Sequence, residues 1–222
     1  ALLWVMVPGD GPDRSAAQVP RPERQPVLRL LRERPIVFVG LGYSICTIAA
    51  QEIFFINYAL WMESSFALVL GTLGLATVVL GLAEAVGEVL VSAAGDRIGM
   101  HRMALSGALL AGVGFAVIPH LNQNLLLALG GIFVVFVLFE MAIVAAIGLF
   151  TEVLPQARSV MMSANISAMS LGRLIGALVG GGLYALTHSF GLIGLVTMAL
   201  MLAGCGLLAL LLRTMAAADA AA

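Results

Sequence analysis

Residues 91–103 read VSAAGDRIGMHRM. Asp96, Arg97, His101 and Arg102 stand here between two long apolar runs. Charged groups are stable only where water or a partner reaches them, so the chain must surface and turn at this point. The fold follows from treating the rest of the sequence in the same way, as apolar runs separated by short polar turns.

The composition supports that treatment. Of the 222 residues 61% are hydrophobic and 10% charged, and the mean hydropathy is +1.08. A soluble domain carries about 25% charged residues, so a surface this poor in charge calls for lipid as its solvent. A hydrocarbon core of roughly 30 Å needs ~20 apolar residues per helix. Six segments qualify, near 36–61, 67–94, 103–119, 125–150, 159–187 and 190–212.

Residues 8–35 hold six of the eight prolines and six of the eleven arginines, which reads as a linker, because proline cannot continue hydrogen-bonded structure. Its last residues, Val27 to Arg34, set leucines among arginines and suit a short interfacial helix. Residues 1–7 read as the end of a preceding spanning helix, 36–213 as a six-helix bundle and 214–222 as a tail.

Arginine placement orients the bundle. Arg29, Arg32 and Arg34 precede the first span, Arg97 and Arg102 follow the second, Arg158 the fourth and Arg213 the sixth. The three intervening connections lack Arg and Lys. By the positive-inside rule the linker, the Arg-bearing turns and the C-terminus are cytoplasmic.

Charges within spans are costly and therefore informative. The first span holds Glu52, the second Glu84 and Glu88, the fourth Glu140 and the fifth Arg173. The third and sixth hold none, which suits peripheral, lipid-facing helices. On the second span Gly74, Thr77, Gly81, Glu84, Glu88 and Ser92 share a helical face. That face reads either as a packing stripe with paired acids or as a polar cavity wall with a titrating carboxylate. Glu88, nearer the cytoplasm, suits a structural or gate role.

At ~1.5 Å per residue, Glu84 and Glu140 lie ~15 Å and Arg173 ~20 Å from the cytoplasmic boundary. Arg173 cannot shed its proton and needs a carboxylate or water, with Glu140 as first expected partner and Glu84 as second. The pair either only fastens two helices, or Arg173 is a substrate contact or a switch that alters the partner acid's proton affinity. Glu52 lies deeper and reads as a proton site or a cavity hydrogen-bonder. Phe55, Tyr58, Phe136 and Phe139 read as packing or lipid-facing residues before cavity lining. Gly172, Gly176 and Gly180 repeat the small-xxx-small spacing that lets helices approach closely.

The stretch 91–103 resembles the cytoplasmic signature of the major facilitator superfamily, small-x-x-x-Asp-Arg-x-Gly-basic-basic, through Ser92, Asp96, Arg97, Gly99 and His101, with Arg102 following. Ser92 replaces the usual Gly and Met100 a usual basic residue. Residues 151–184, with Glu152, Pro155, Arg158 and Leu171-Gly172-Arg173, resemble the loop and fifth helix of that family's C-terminal half. The likeness covers 27–213 and is nearest to bacterial drug and sugar efflux permeases.

The resemblance implies an all-α membrane protein: six transmembrane helices as two inverted three-helix repeats, half of a twelve-helix transporter fold. It implies a missing N-terminal six-helix half and alternating access around a midplane site. Asp96 would face a helix N-terminus of the other half, Arg97 or Arg102 would pair with Glu152, and Arg158 would join that cytoplasmic gate.

The function expected is secondary transport of a small organic solute, proton-coupled efflux by an antiporter or permease of the bacterial inner membrane. Glu52, Glu84 and Glu140 are the coupling candidates, and the partners are the bilayer, the solute and protons. A non-transporting six-helix scaffold, receptor or assembly factor is the alternative. No nucleophile–base set, Walker loop, cofactor motif or metal-ligand spacing stands in the spans, so the sequence does not read as an enzyme, and nothing points to nucleic acid.

Overall fold

The computed structural model describes residues 35–68 and 70–219. The expected linker, interfacial helix and preceding span, within 1–34, lie outside the described residues. Regular structure among the described residues is helical throughout, with six helices long and apolar enough to cross a membrane. They are α1 (Pro35–Phe66), α2 (Leu70–Ile98), α3 (Met100–Val117), α4 (Leu125–Val153), α5 (Arg158–Thr187) and α6 (Phe190–Asp219).

Four helices cover their expected apolar segments and run past at least one end, whereas α2 begins at Leu70 rather than 67 and α3 ends at Val117, where the chain passes into a 3₁₀ turn. α6 continues to Asp219, through the stretch expected to be tail. Helix is the default wherever water is scarce, because it satisfies every backbone group internally.

The ends follow local chemistry. Proline opens α1, at a position where its missing N–H costs nothing. Asn124 caps α4, its side chain accepting from the Leu126 and Leu127 N–H groups at 2.9 and 3.3 Å. A 3₁₀ turn over Ile118–Leu121, built on Pro119, carries the chain out of α3, and a second, Pro155–Ala157, joins α4 to α5. α5 ends at His188, left-handed at φ 50°, whose N–H reaches the Tyr184 carbonyl at 2.8 Å.

The main packing partners form a row: α2 on α4, α4 on α3, α3 on α6, α6 on α1, α1 on α5. Replacing α1 by α4, α2 by α5 and α3 by α6 returns the same row reversed. Because successive helices alternate in direction, the two three-helix units are inverted relative to each other. α3 and α6 meet at the centre of the row through small residues. A methyl group at Gly112 would fall 2.8 Å from Met201 Cβ, and one at Gly194 2.6 Å from the Phe115 carbonyl.

Aromatic rings fill the space between α1, α3, α4 and α6. Phe54 lies 4.9 Å from Phe115 and 5.1 Å from Phe190, ring centre to centre, and Trp61 stacks on Phe190 at 4.8 Å. Phe136 and Phe139 belong to this core, so both are packing residues.

The helices that bury least within the chain are α2 and α5, at the two ends of the row, rather than the charge-free α3 and α6. Lack of charge suits a lipid-facing side, and both helices do expose leucines outward (Leu109, Leu110, Leu195, Leu202). Their opposite faces, however, make the contact between the two repeats.

Candidate functional site

The charged residues within the spans are organised by two glycines. On α2 the buried stripe is Ala76, Leu80, Ala83, Gly87 and Val91, facing α4. A methyl group at Gly87 would fall 2.7 Å from Glu140 Cβ and 2.9 Å from the Val137 carbonyl. The Glu140 side chain therefore crosses α2 directly over Gly87, in space any other residue would occupy.

On α5 the buried stripe is Met161, Asn165, Ala168, Gly172, Gly176 and Gly180. A methyl at Gly176 would fall 2.7 Å from Glu52 Cβ and 2.6 Å from the Ala49 carbonyl, both on α1. The two seats correspond atom for atom: a glutamate Cβ, and the carbonyl three residues before it, pressed on a glycine of the repeat-related helix.

Their surroundings differ in charge. Gly87 is flanked by Glu84 and Glu88, both exposed, while Glu140 above it is half-buried. Three residues before Gly176, in the place of Glu84, stands Arg173. One seat is thus surrounded by acids and the other adjoined by a base.

This arrangement corrects the expected partner of Arg173. Glu140 belongs to the α2–α4 seam, whereas Arg173 is exposed on α5, a helix that packs chiefly on α1. Arg173 forms no ion pair with Glu140 or Glu84, and the glutamate seated on its own helix is Glu52. Because α4 and α5 separate after their short turn, each parallel to a helix of the other repeat, sequence adjacency did not bring these charges together.

The polar face of α2 is not the face that packs within this chain. Gly74, Thr77, Gly81, Glu84, Glu88 and Ser92 are all exposed, and methyl groups at Gly74 or Gly81 would touch nothing within 4 Å. The face that packs lies one residue earlier in register. The polar stripe is open, so within this chain its small residues admit no neighbouring helix.

Gly172, Gly176 and Gly180, by contrast, are covered. A methyl at Gly172 would meet the Ile45 carbonyl at 2.8 Å, and one at Gly180 the Ile53 Cα at 2.9 Å. Two amides reinforce the seam. Ser44 donates to Asn165 Oδ1 at 2.6 Å, and Asn57 donates to the Gly180 carbonyl at 3.1 Å. Asn57 and Asn165 escaped the sequence reading, although an amide inside an apolar run was the available signal, since it must find a partner there.

The stretch 91–103 proves tighter than a loop. Asp96 and Arg97 still belong to α2, and Gly99 alone separates it from α3. Gly99 has φ 92°, a left-handed geometry that side chains resist, and its N–H bonds to the Gly95 carbonyl at 2.9 Å. Met100 turns inward, where a methyl at Gly95 would meet its Cε at 2.7 Å and one at Gly148 its Cγ at 3.7 Å. The residue departing from the signature's basic position is thus an apolar knob closing α2 on α4.

Asp96, Arg97, Arg102, Glu152 and Arg158 all lie at this end of the bundle and are exposed. The expected pairs from Arg97 or Arg102 to Glu152 are not formed among the described residues. Solvated surface charges gain little from pairing, so nothing within this chain compels them to meet. No cluster of His, Cys, Asp and Glu among the described residues is arranged to hold a metal ion.

The comparisons with known proteins agree with this architecture. Residues 40–221 match the family profile of the Major Facilitator Superfamily. The chain is 30% identical over 131 residues to YceJ, an uncharacterized MFS-type transporter of Bacillus subtilis (strain 168). That match takes in 59% of this chain and 33% of the relative, so the chain spans only part of the length of the relative it matches. No solved structure matches it. Six membrane-length helices, two reversed three-helix units and a profile running through nearly all of them agree on one assignment: the chain belongs to the Major Facilitator Superfamily.

Proposed function

We propose that the chain is the C-terminal six-helix half of a secondary transporter that moves a small organic solute by alternating access, as proton-coupled efflux from a bacterial inner membrane. The observation that carries this reading is the exposure of charge at both ends of the helix row. Glu84 and Glu88 on α2 and Arg173 on α5 are exposed at membrane depth. Charges held there are costly unless water, solute or another protein surface covers them. An N-terminal half, set against α2 and α5, would enclose these faces and turn them into a solute pathway.

In this reading the seat at Gly87 is the coupling site. An antiporter needs an acid that exchanges a proton within the membrane, and an ionisable residue inside a span is the first place to look for one. Glu140, half-buried over Gly87, is that acid, with Glu84 and Glu88 lining the approach. Glu52 and Arg173 supply opposite charges on the other repeat and orient the solute. Asp96, Arg97, Arg102, Glu152 and Arg158 close the cytoplasmic side against the other half. Contacts that form and break each cycle suit solvated groups of this kind.

The test is solute-driven proton movement in everted membrane vesicles containing the complete protein, followed with a pH-sensitive dye over a panel of small organic solutes. Dissipation of an imposed gradient by one solute class, lost on Glu140→Gln, supports the reading. Proton movement that survives Glu140→Gln, Glu84→Gln and Glu52→Gln together removes the acids from coupling.

A further inference from the structure

α1 and α2 are consecutive antiparallel helices, yet they touch only sparsely, because α1 turns to α5 and α6 while α2 turns to α4. Across the gap the Tyr58 hydroxyl and Thr77 Oγ1 lie 2.6 Å apart. Tyr58 stands eight residues before the end of α1 and Thr77 seven after the start of α2, so both lie ~10–12 Å below the hairpin apex. The bond sits where the two helices begin to diverge.

Three further features single out this contact. Tyr58 is buried at 6% exposure while Thr77 lies on the open polar face of α2, so the bond links a fixed helix to an exposed one. The apex above it is a short turn in which Ala67 takes a left-handed φ of 52°, a conformation alanine resists. The repeat-related positions are Ala146 and Ile166, by the offsets that relate Glu52 to Glu140 and Gly87 to Gly176. Neither side chain can form a hydrogen bond, so this bond has no counterpart at the repeat-related place in the α4–α5 hairpin.

We propose that the Tyr58–Thr77 hydrogen bond is a breakable latch that sets the splay of α1 and α2 at the hairpin end. It holds the polar face of α2 at a fixed inclination. Its second partner is already in place, since Thr77 Oγ1 also lies 3.2 Å from the Leu73 carbonyl. When the latch opens, the threonine hydroxyl keeps a bond within its own helix, and the cost of opening falls on the Tyr58 hydroxyl, which gives up this partner. That the splay sets the width of the solute pathway rests on the transporter reading; the latch itself does not.

The test uses Gly74→Cys, one helical turn from Thr77 on the same face, where a side chain meets nothing within 4 Å. Its rate of reaction with a hydrophilic maleimide is measured in native membranes, after subtracting the labelling of the parent chain through Cys46 and Cys205. Tyr58→Phe and Thr77→Val are each expected to change that rate about threefold, the size of one side-chain hydrogen bond between helices in a membrane. The double variant should show no further change, and Thr77→Ser should restore the parent rate.

Gln123→Cys, exposed in the connection between α3 and α4, should react at an unchanged rate in every variant. Equal rates at Gly74→Cys with and without the hydroxyls would overturn the latch, as would parallel changes at Gln123→Cys, which would indicate general loosening. Latch results are read from labelling and transporter results from proton flux, so the two can fail separately.

Discussion

Glu140 lies across Gly87 as Glu52 lies across Gly176, each glutamate Cβ 2.7 Å from where the glycine's side chain would begin. The two seats are related by the internal repeat, and both use the absence of a side chain to bring a carboxylate across a helix–helix seam. One inherited geometry thus holds two different electrostatic settings, acids around Gly87 and Arg173 beside Gly176.

The seats predict a contrast among glycines. Gly87→Ala and Gly176→Ala each press a methyl on a backbone carbonyl, at 2.9 and 2.6 Å. Overpacking of this kind costs about 1–3 kcal/mol. Gly81→Ala and Gly206→Ala meet open space and should be neutral or stabilising, since alanine favours helix. Thermal aggregation in mild detergent should separate the two pairs.

A second contrast concerns charge. Glu140→Gln keeps the shape that crosses Gly87, so the protein should reach the membrane at parent levels. Proton-coupled flux should fall about a hundredfold or more, the scale for losing a group that takes part in proton transfer. Parent-level flux in this variant would shift coupling to another acid.

The α1–α5 seam offers a stability prediction independent of transport. Ser44→Ala and Asn165→Ala each break the 2.6 Å bond between these buried side chains. A double-mutant cycle in detergent unfolding should return a coupling of about 0.6–1.7 kcal/mol, the range for side-chain hydrogen bonds between membrane helices. Additive effects would mean that the two residues act separately.

The turn at Gly99 gives a fourth. At φ 92° any L-residue is strained by roughly 1–2 kcal/mol, and a methyl there would also press on the His101 ring at 3.1 Å. Gly99→Ala should lower the detergent melting temperature, whereas Asp96→Asn, at an exposed site on the same turn, should leave insertion and melting unchanged and reduce transport. Unchanged transport in Asp96→Asn would remove it from the gate.

Much of this protein is determined by its sequence alone. Hydropathy fixes six spans because lipid leaves helix as the only open-ended way to satisfy a backbone, and Pro35, Asn124 and Gly99 mark ends for local steric and capping reasons. The signature around Asp96 and the Gly172-xxx-Gly176-xxx-Gly180 spacing carried the family and a close helix contact. Which helices meet was decided by tertiary structure, because periodicity gives a helix its faces but not its neighbours. The buried stripe of α2 falls one residue earlier than its acids, at Gly87, a register that periodicity alone did not pick out. Arg173 looked suited to Glu140 by depth, yet parallel pairing of α1 with α5 and α2 with α4 set them on different seams. Depth along the membrane is a local property, counted from a helix end; lateral position is set by the packing of the whole bundle.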